Sequence, residues 1–376
     1  MSGNPVLKLQ DFGQSIWLDF LRRGLLTSGE LQALIDNDGV RGVTSNPAIF
    51  KGAIVDTDDY DEAIAEIAGE GLSSVEMYER IAIEDIQRAT DFFRPMYDFS
   101  DGLHGYVSLE VDPHLARDTE GTIEEGRRLW VDVDRPNLLI KVPATSEGLP
   151  AIRQLISEGI NVNVTLLFSI DRYREVAEAY ISGLEQAVAT GEPIHRVCSV
   201  ASFFLSRIDS MVDALLEEKI AEGGENTGLA EKLCGEVAIA SAKIAYQIHR
   251  EMVCDSRWRR LADRGARIQR LLWASTSTKN PEYSDVRYVE ALIGPQTINT
   301  LPMATLEAYR DHGDPAERLE EGIDEAREVI DRLPEVGIDL DAVTAKLVEE
   351  GIEKFNQPYD ELIETLEQAA SEAASG

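Results

Sequence analysis

The stretch from Leu138 to Ser169, LLIKVPATSEGLPAIRQLISEGINVNVTLLFS, limits the fold more than any other part of the chain. It opens with an apolar run, Leu138, Leu139 and Ile140, that carries one lysine, Lys141. After a small polar turn, Leu149, Ile152, Leu155 and Ile156 recur at helical spacing, and Gly159 ends that segment. A second run, from Ile160 to Phe168, alternates apolar with polar residues. Two strands joined by a helix of this length form a βαβ unit, and such units build parallel sheets. A lysine inside an apolar strand is the anomaly, because Lys is almost never buried without a reason.

The same alternation runs through most of the chain. Strands are expected at Ser15–Phe20, Val40–Ser45, Gly105–Val111, His195–Ser202, Arg270–Ser275 and Thr297–Thr300, in addition to the two above. Helices are expected from Ser28, as N-cap, toward Gly39, over TIEEGRRLWVDV, over Ile170–Thr190 and across 208–260 with a break at GGENTG. Residues from about 51 to 100 read as an acidic helical insertion. Everything from about 303 to 376 reads as an acidic helical extension with a frayed tail, EQAASEAASG. No linker divides the chain, so 1–376 is expected to be one domain.

About eight strands alternating with helices fit an open doubly wound sheet or a (β/α)8 TIM barrel. The polar residues decide between them. Asn161, Asn163 and Thr165 share one face of their strand, Ser108 and Glu110 one face of theirs, and Trp17 and Asp19 one face of the first. An open parallel sheet is apolar on both faces, whereas barrel strands can point polar groups at a lumen whose C-terminal mouth holds the active site. The pattern predicts the α/β class and a (β/α)8 barrel with helical insertions.

A formal net charge of -33 argues against nucleic acid or an anionic membrane as partner. Screening confines that field to about 10 Å, so a local basic cluster can still hold a phosphate. Cys198, Cys234 and Cys254 have no paired or metal spacing and suit a reducing cytoplasm. The N-terminus carries no signal-type apolar core, and no stretch is apolar enough to span a bilayer. The apolar positions of the C-terminal helices suit packing on the barrel as well as on a second copy, and both a monomer and a homodimer fit.

Lys141 has three readings: a lysine snorkelling at a strand end, a point charge for phosphate, or a Schiff-base nucleophile whose free amine is favoured by burial. The third also needs acid/base groups for the substrate hydroxyl and the carbinolamine. Asp19, Glu110 and Thr165 share its parity at other strand ends and would converge there, although each alone is an ordinary ion-pair partner or cap. Asn46 and Asn163 suit sugar hydroxyls, with an ordinary Asn-Pro turn as the plainer reading of Asn46. Arg207 would open the helix after the sixth strand, where phosphates often bind, or else pair with Asp209 or Asp213 on the surface. Ser275 and Lys279 could complete a phosphate site. No glycine-rich nucleotide loop and no metal-ligand spacing is present, so neither nucleotide nor metal is expected.

The segments GVTSNPAIF (42–50), LLIKVPATSEGLPAI (138–152), GINVNVTLLFS (159–169), VASFFLSRID (200–209) and LLWASTSTKNPEY (271–283) closely resemble the transaldolase family, in its longer bacterial branch. The resemblance runs from about Asp11 to Pro302. It implies a class I aldolase barrel in the pentose phosphate pathway that needs no cofactor. The implied reaction moves a dihydroxyacetone unit from sedoheptulose 7-phosphate to glyceraldehyde 3-phosphate, giving erythrose 4-phosphate and fructose 6-phosphate. By position, Lys141 matches the Schiff-base lysine and Asp19 the acid/base for the C4 hydroxyl. Glu110 and Thr165 match the pair that works through a water on the imine. Asn46, Asn163 and Ser202 match contacts to dihydroxyacetone, and Arg207 and Ser275 contacts to phosphate. Where the better-known branch has an arginine after that serine, this chain departs from the pattern with Thr276-Ser277-Thr278-Lys279, and the resemblance leaves open whether Lys279 takes its place. Two rivals remain: an aldolase that releases free dihydroxyacetone, and a sugar-phosphate-binding barrel without catalysis. In the resembling aldolases a glutamine stands at Glu110 and a tyrosine at Phe204, which favours transfer here; every catalytic position is filled, which disfavours the binding barrel.

Overall fold

A computed structural model describes residues 3–375 and shows eight parallel strands closed into a barrel. β1 (Gln14–Leu18), β2 (Val40–Val43), β3 (Tyr106–Glu110), β4 (Leu138–Pro143), β5 (Val162–Leu167), β6 (Ser199–Phe204), β7 (Arg270–Ala274) and β8 (Thr297–Leu301) follow one another around the ring in chain order. β8 pairs back on β1, from Gln14 beside Thr297 to Leu18 beside Leu301, which leaves no free sheet edge.

A barrel of eight strands is just wide enough for side chains to fill its interior. Trp17 and Tyr106 do so from β1 and β3, their rings stacked with centres 6.4 Å apart. Gly42 makes room for them: a Cβ there would lie 2.6 Å from the Trp17 ring and 2.7 Å from the Tyr106 carbonyl. Helices cover the outside, among them Thr119–Val133, Gly148–Ser157, Ile170–Thr190 and Ser206–Glu222. The segment between β2 and β3 forms helices Pro47–Val55, Asp61–Ala68 and Ser74–Phe99. Beyond β8 lie Met303–His312, Ile323–Arg332 and the long helix Leu340–Ser375.

The structure moves several expected elements. β6 begins at Ser199, four residues later than predicted, because the backbone N–H of Val197 turns back to the Ile194 carbonyl and that of Cys198 donates to the Asn161 side chain. It also runs on past the expected end at Ser202 to include Phe203 and Phe204. Asn46-Pro47 is not a turn but the start of a helix: Asn46 Oδ1 accepts from the Ile49 N–H at 3.0 Å, and proline occupies the first turn, where its missing donor costs nothing. Gly29, at φ +86, replaces Ser28 as the cap of helix Glu30–Asp38. Asn161 precedes β5 and donates to the Pro136 and Leu138 carbonyls, so it ties neighbouring strands together. Leu166 leaves the alternation of β5 with φ +53, where the pairing to β6 shifts. The C-terminal helix continues to Ser375 through the stretch read as frayed. Met1 and Ser2, which begin the N-terminal stretch, and Gly376, which ends the tail, lie outside the described residues.

Candidate active site

The parallel register sets Glu110 of β3 beside Lys141 of β4, Lys141 beside Asn163 of β5, and Pro143 beside Thr165. Lys141 is 4% exposed. Its Nζ donates to the Ser45 carbonyl at 3.0 Å and to Glu110 Oε2 at 3.2 Å. Burial pushes the Glu110 carboxyl up to about 6, with the Lys141 charge acting against that rise. The other carboxylate oxygen, Glu110 Oε1, and the Thr165 hydroxyl are buried with no partner. Unmet hydrogen-bonding capacity inside a protein costs about 1–3 kcal/mol per group, and two such atoms lie within two rungs of one lysine. Asn163 is committed on both sides: it donates to Ser108 Oγ at 2.9 Å and accepts from Ser202 Oγ at 2.7 Å.

Asp19 lies one residue past β1. Its backbone N–H bonds the Leu301 carbonyl at 2.8 Å, and Oδ1 accepts from Thr44 Oγ1 at 2.7 Å. Thr44 also bonds the Thr300 hydroxyl at 2.8 Å, so two threonines fix the carboxylate's orientation. Burial raises the Asp19 pKa, while Lys141, the Thr44 hydroxyl, Arg207 and Lys279 pull it back. Burial and nearby cations thus act on this carboxyl in opposite directions.

The opposite wall is cationic. Arg207, on the first turn of helix Ser206–Glu222, lies with its guanidinium carbon 5.6 Å from the centre of the Phe204 ring, and its Nη1 is buried without a partner. Lys279 donates to Ser277 Oγ at 2.7 Å. Burial and the neighbouring Arg207 both lower the Lys279 pKa, so an anion between the two cations would be welcome to both. Ser275 holds φ +54, an uncommon conformation for a residue with a side chain, and its Oγ lies 2.9 Å from Ser206 Oγ.

One cavity of about 200 Å³ joins these walls. Of the residues predicted from sequence, Asp19, Asn46, Lys141, Ser202, Phe204, Arg207, Ser275 and Lys279 line it; Glu110, Asn163 and Thr165 do not, and flank Lys141 on the neighbouring strands. Sequence reasoning missed Thr44 and Thr300, the supports of Asp19, although Thr44 sits within GVTSNPAIF and Thr300 at the end of the predicted eighth strand. It also missed Phe355, which reaches the cavity from the C-terminal helix. A wider groove of about 840 Å³, between helix Ser206–Glu222 and the C-terminal helix, shares Arg207 and Lys279 with the cavity and gives it an approach from solvent. Among the described residues no group of three or more His, Cys, Asp or Glu could hold a metal ion, and no helix is long and apolar enough to cross a membrane.

A buried amine, a carboxylate and two cations thus surround one small cavity. The family described as transaldolase/fructose-6-phosphate aldolase matches residues 16–366. A transaldolase of Trichodesmium erythraeum is 50% identical over 372 residues, covering 98% of each chain. Transaldolase 2 of a Nostoc species is 49% identical over the same length, with 98% of each chain covered. A transaldolase of Saccharopolyspora erythraea is 47% identical over 366 residues and 97% of each chain.

Proposed function

We propose that this chain, which belongs to the transaldolase/fructose-6-phosphate aldolase family, is a transaldolase that carries a dihydroxyacetone unit on Lys141. The observation that carries the reading is a single one. Lys141 is the buried amine on the wall of a cavity that also holds Asp19 and the cations Arg207 and Lys279. The substrates are phosphorylated sugars, and we assign sedoheptulose 7-phosphate and fructose 6-phosphate as donors with glyceraldehyde 3-phosphate and erythrose 4-phosphate as acceptors.

In this reading the Lys141 amine adds to the ketose carbonyl at C2 and the carbinolamine loses water to give a protonated imine. Glu110, next to Nζ, and Thr165 would hold the water that relays those protons, using their unpaired oxygens. Asp19 takes the proton from the C4 hydroxyl. The C3–C4 bond breaks, its electrons pass into the imine to form an enamine, and erythrose 4-phosphate leaves. The enamine carbon then attacks the aldehyde carbon of glyceraldehyde 3-phosphate while Asp19 returns the proton to the new hydroxyl. Water cleaves the imine, fructose 6-phosphate departs, and the amine is restored. Arg207 and Lys279 anchor the phosphate at the far end and so fix which carbon reaches Lys141.

Glu110 and Phe204 support transfer over release, since the resembling aldolases carry glutamine and tyrosine at these positions. We also assign the reaction to the cytoplasm, in keeping with three free cysteines. The test is a product assay with sedoheptulose 7-phosphate and glyceraldehyde 3-phosphate. Fructose 6-phosphate is expected in equal amount to erythrose 4-phosphate, with free dihydroxyacetone a trace. Free dihydroxyacetone formed in step with erythrose 4-phosphate would make the chain an aldolase instead.

A further inference from the structure

Three surfaces meet the reactive nitrogen of Lys141, and the sequence motifs account for two of them. The Ser45 carbonyl follows β2 and the Glu110 carboxylate ends β3. The third is the face of Phe355, with Nζ 5.5 Å from the ring centre. Phe355 is 4% exposed and forms part of the cavity wall.

Its position follows from the helix that carries it. Along Leu340–Ser375 the buried residues Val343, Leu347, Gly351, Phe355 and Tyr359 recur every four residues and form one ridge across the mouth of the barrel. Gly351 is where the helix comes closest. A Cβ there would lie 2.9 Å from Leu166 Cδ2, so the absence of a side chain lets the helix rest on the end of β5, one residue beyond Thr165. One turn further, Phe355 is set over Lys141. One turn beyond that, Tyr359 packs edge-on against Tyr78, with ring centres 5.4 Å apart, and clamps the helix to the segment between β2 and β3. The ring is thus held from both sides.

Of the three neighbours of Nζ, the carbonyl and the carboxylate can both bind water, and the aromatic face binds it poorly. The imine attached to Nζ has two fates. In transfer, the enamine carbon forms a C–C bond to the acceptor aldehyde. In release, that carbon takes a proton instead, water adds to the imine carbon, and the C–N bond breaks to give free dihydroxyacetone and the Lys141 amine. Both begin from one intermediate, and they differ in whether protons and water reach it before the acceptor does.

Resting on the reading of Lys141 as the Schiff-base lysine, we propose that Phe355 is a specificity-determining residue that keeps bulk water, beyond the one held by Glu110 and Thr165, from the covalent dihydroxyacetone intermediate and thereby favours transfer over release. The role belongs to the size and apolarity of the ring, so a residue of similar bulk should preserve it and a small one should not.

The test measures the ratio of free dihydroxyacetone released to fructose 6-phosphate formed, in the full-length protein and in Phe355→Ala, Phe355→Val and Phe355→Leu. Borohydride trapping on Lys141 is followed in each. The ratio is expected to rise on the order of tenfold in Phe355→Ala, to rise less in Phe355→Val and to stay near its starting value in Phe355→Leu. Phe355→Val keeps the test open should the alanine variant fail to fold. A substitution that only loosens the helix would lower transfer and release together, leaving the ratio unchanged. That result, with the Lys141 adduct still formed, would overturn the role of Phe355. Absence of the adduct in the unaltered protein would instead overturn the Schiff-base reading on which it rests.

Discussion

At the N-terminal end of the barrel, Arg270 donates from Nη1 to Ser15 Oγ at 3.1 Å and from Nη2 to the Leu103 carbonyl at 2.9 Å. His104 joins this group, with Nδ1 3.3 Å from Ser15 Oγ and Nε2 2.5 Å from Arg41 Nη1. Burial, then the charges of Arg41 and Arg270, press the His104 pKa down to about 3, so the ring is neutral and can accept from Arg41 while donating to Ser15. At the C-terminal end the buried polar groups are treated differently. Arg207 Nη1, Glu110 Oε1 and the Thr165 hydroxyl have no partner, and Leu166 and Ser275 hold positive φ. Both ends bury guanidinium groups in the same acidic chain. Arg270 and Arg41 find partners within the chain, whereas Arg207 keeps one nitrogen unpartnered beside the cavity. Nearness to Lys141 and its cavity, more than unmet hydrogen bonds alone, separates scaffold from site here, since Gln14 Oε1, Asn137 Oδ1 and Gln269 Oε1 at or just before the N-terminal ends of their strands are also buried without a partner.

That contrast can be attacked by substitution at either end. Asp19→Asn keeps the shape of its side chain and removes the base, so kcat for transfer should fall about 10²- to 10⁴-fold with the melting temperature nearly unchanged. A large loss of stability with activity retained would assign Asp19 to the scaffold. Arg207→Ala should raise KM for phosphorylated substrates about tenfold to a hundredfold, from the roughly 1.5–3 kcal/mol of a charge-assisted hydrogen bond, and should affect dihydroxyacetone as donor far less. Equal effects on both would remove Arg207 from the anion site.

The pH profile gives a smaller effect of definite sign. Glu110, pushed up to about 6, is ionised above that pH and protonated below it. If the ionised form relays protons at the imine, kcat/KM should fall about tenfold for each pH unit below 6, and Glu110→Gln should abolish that limb. A limb that survives in Glu110→Gln would belong to another group. The smallest effect on activity is expected at the far end. His104→Ala leaves Arg41 and Ser15 short of a partner, so urea unfolding should show a loss of about 1–3 kcal/mol while kcat and KM per folded molecule hold. Lost activity with stability intact would break the comparison between the two ends.

Much of this architecture was legible because a parallel barrel writes itself in period-two parity. Asp19 and Glu110 stand at or just past the ends of their strands, and Lys141, Asn163 and Thr165 lie within theirs, at positions of one parity. Legibility failed where side chains and local geometry override periodicity. β6 starts late because the Asn161 side chain takes the Cys198 N–H, and Leu166 escapes its strand through a positive φ that no propensity announces. Phe355 was illegible for another reason. Its helix reads as an ordinary acidic amphipathic segment, and only the packing of Gly351 on Leu166 reveals that the ridge crosses the mouth of the barrel.

The central claim is that Lys141 forms the covalent bond, and borohydride reduction in the presence of fructose 6-phosphate tests it directly. Peptide mass mapping should find one substrate-derived adduct, on the peptide containing Lys141, with activity lost in proportion and the adduct absent from Lys141→Met. Substrate binding with no adduct, or an adduct on another lysine, would contradict the account.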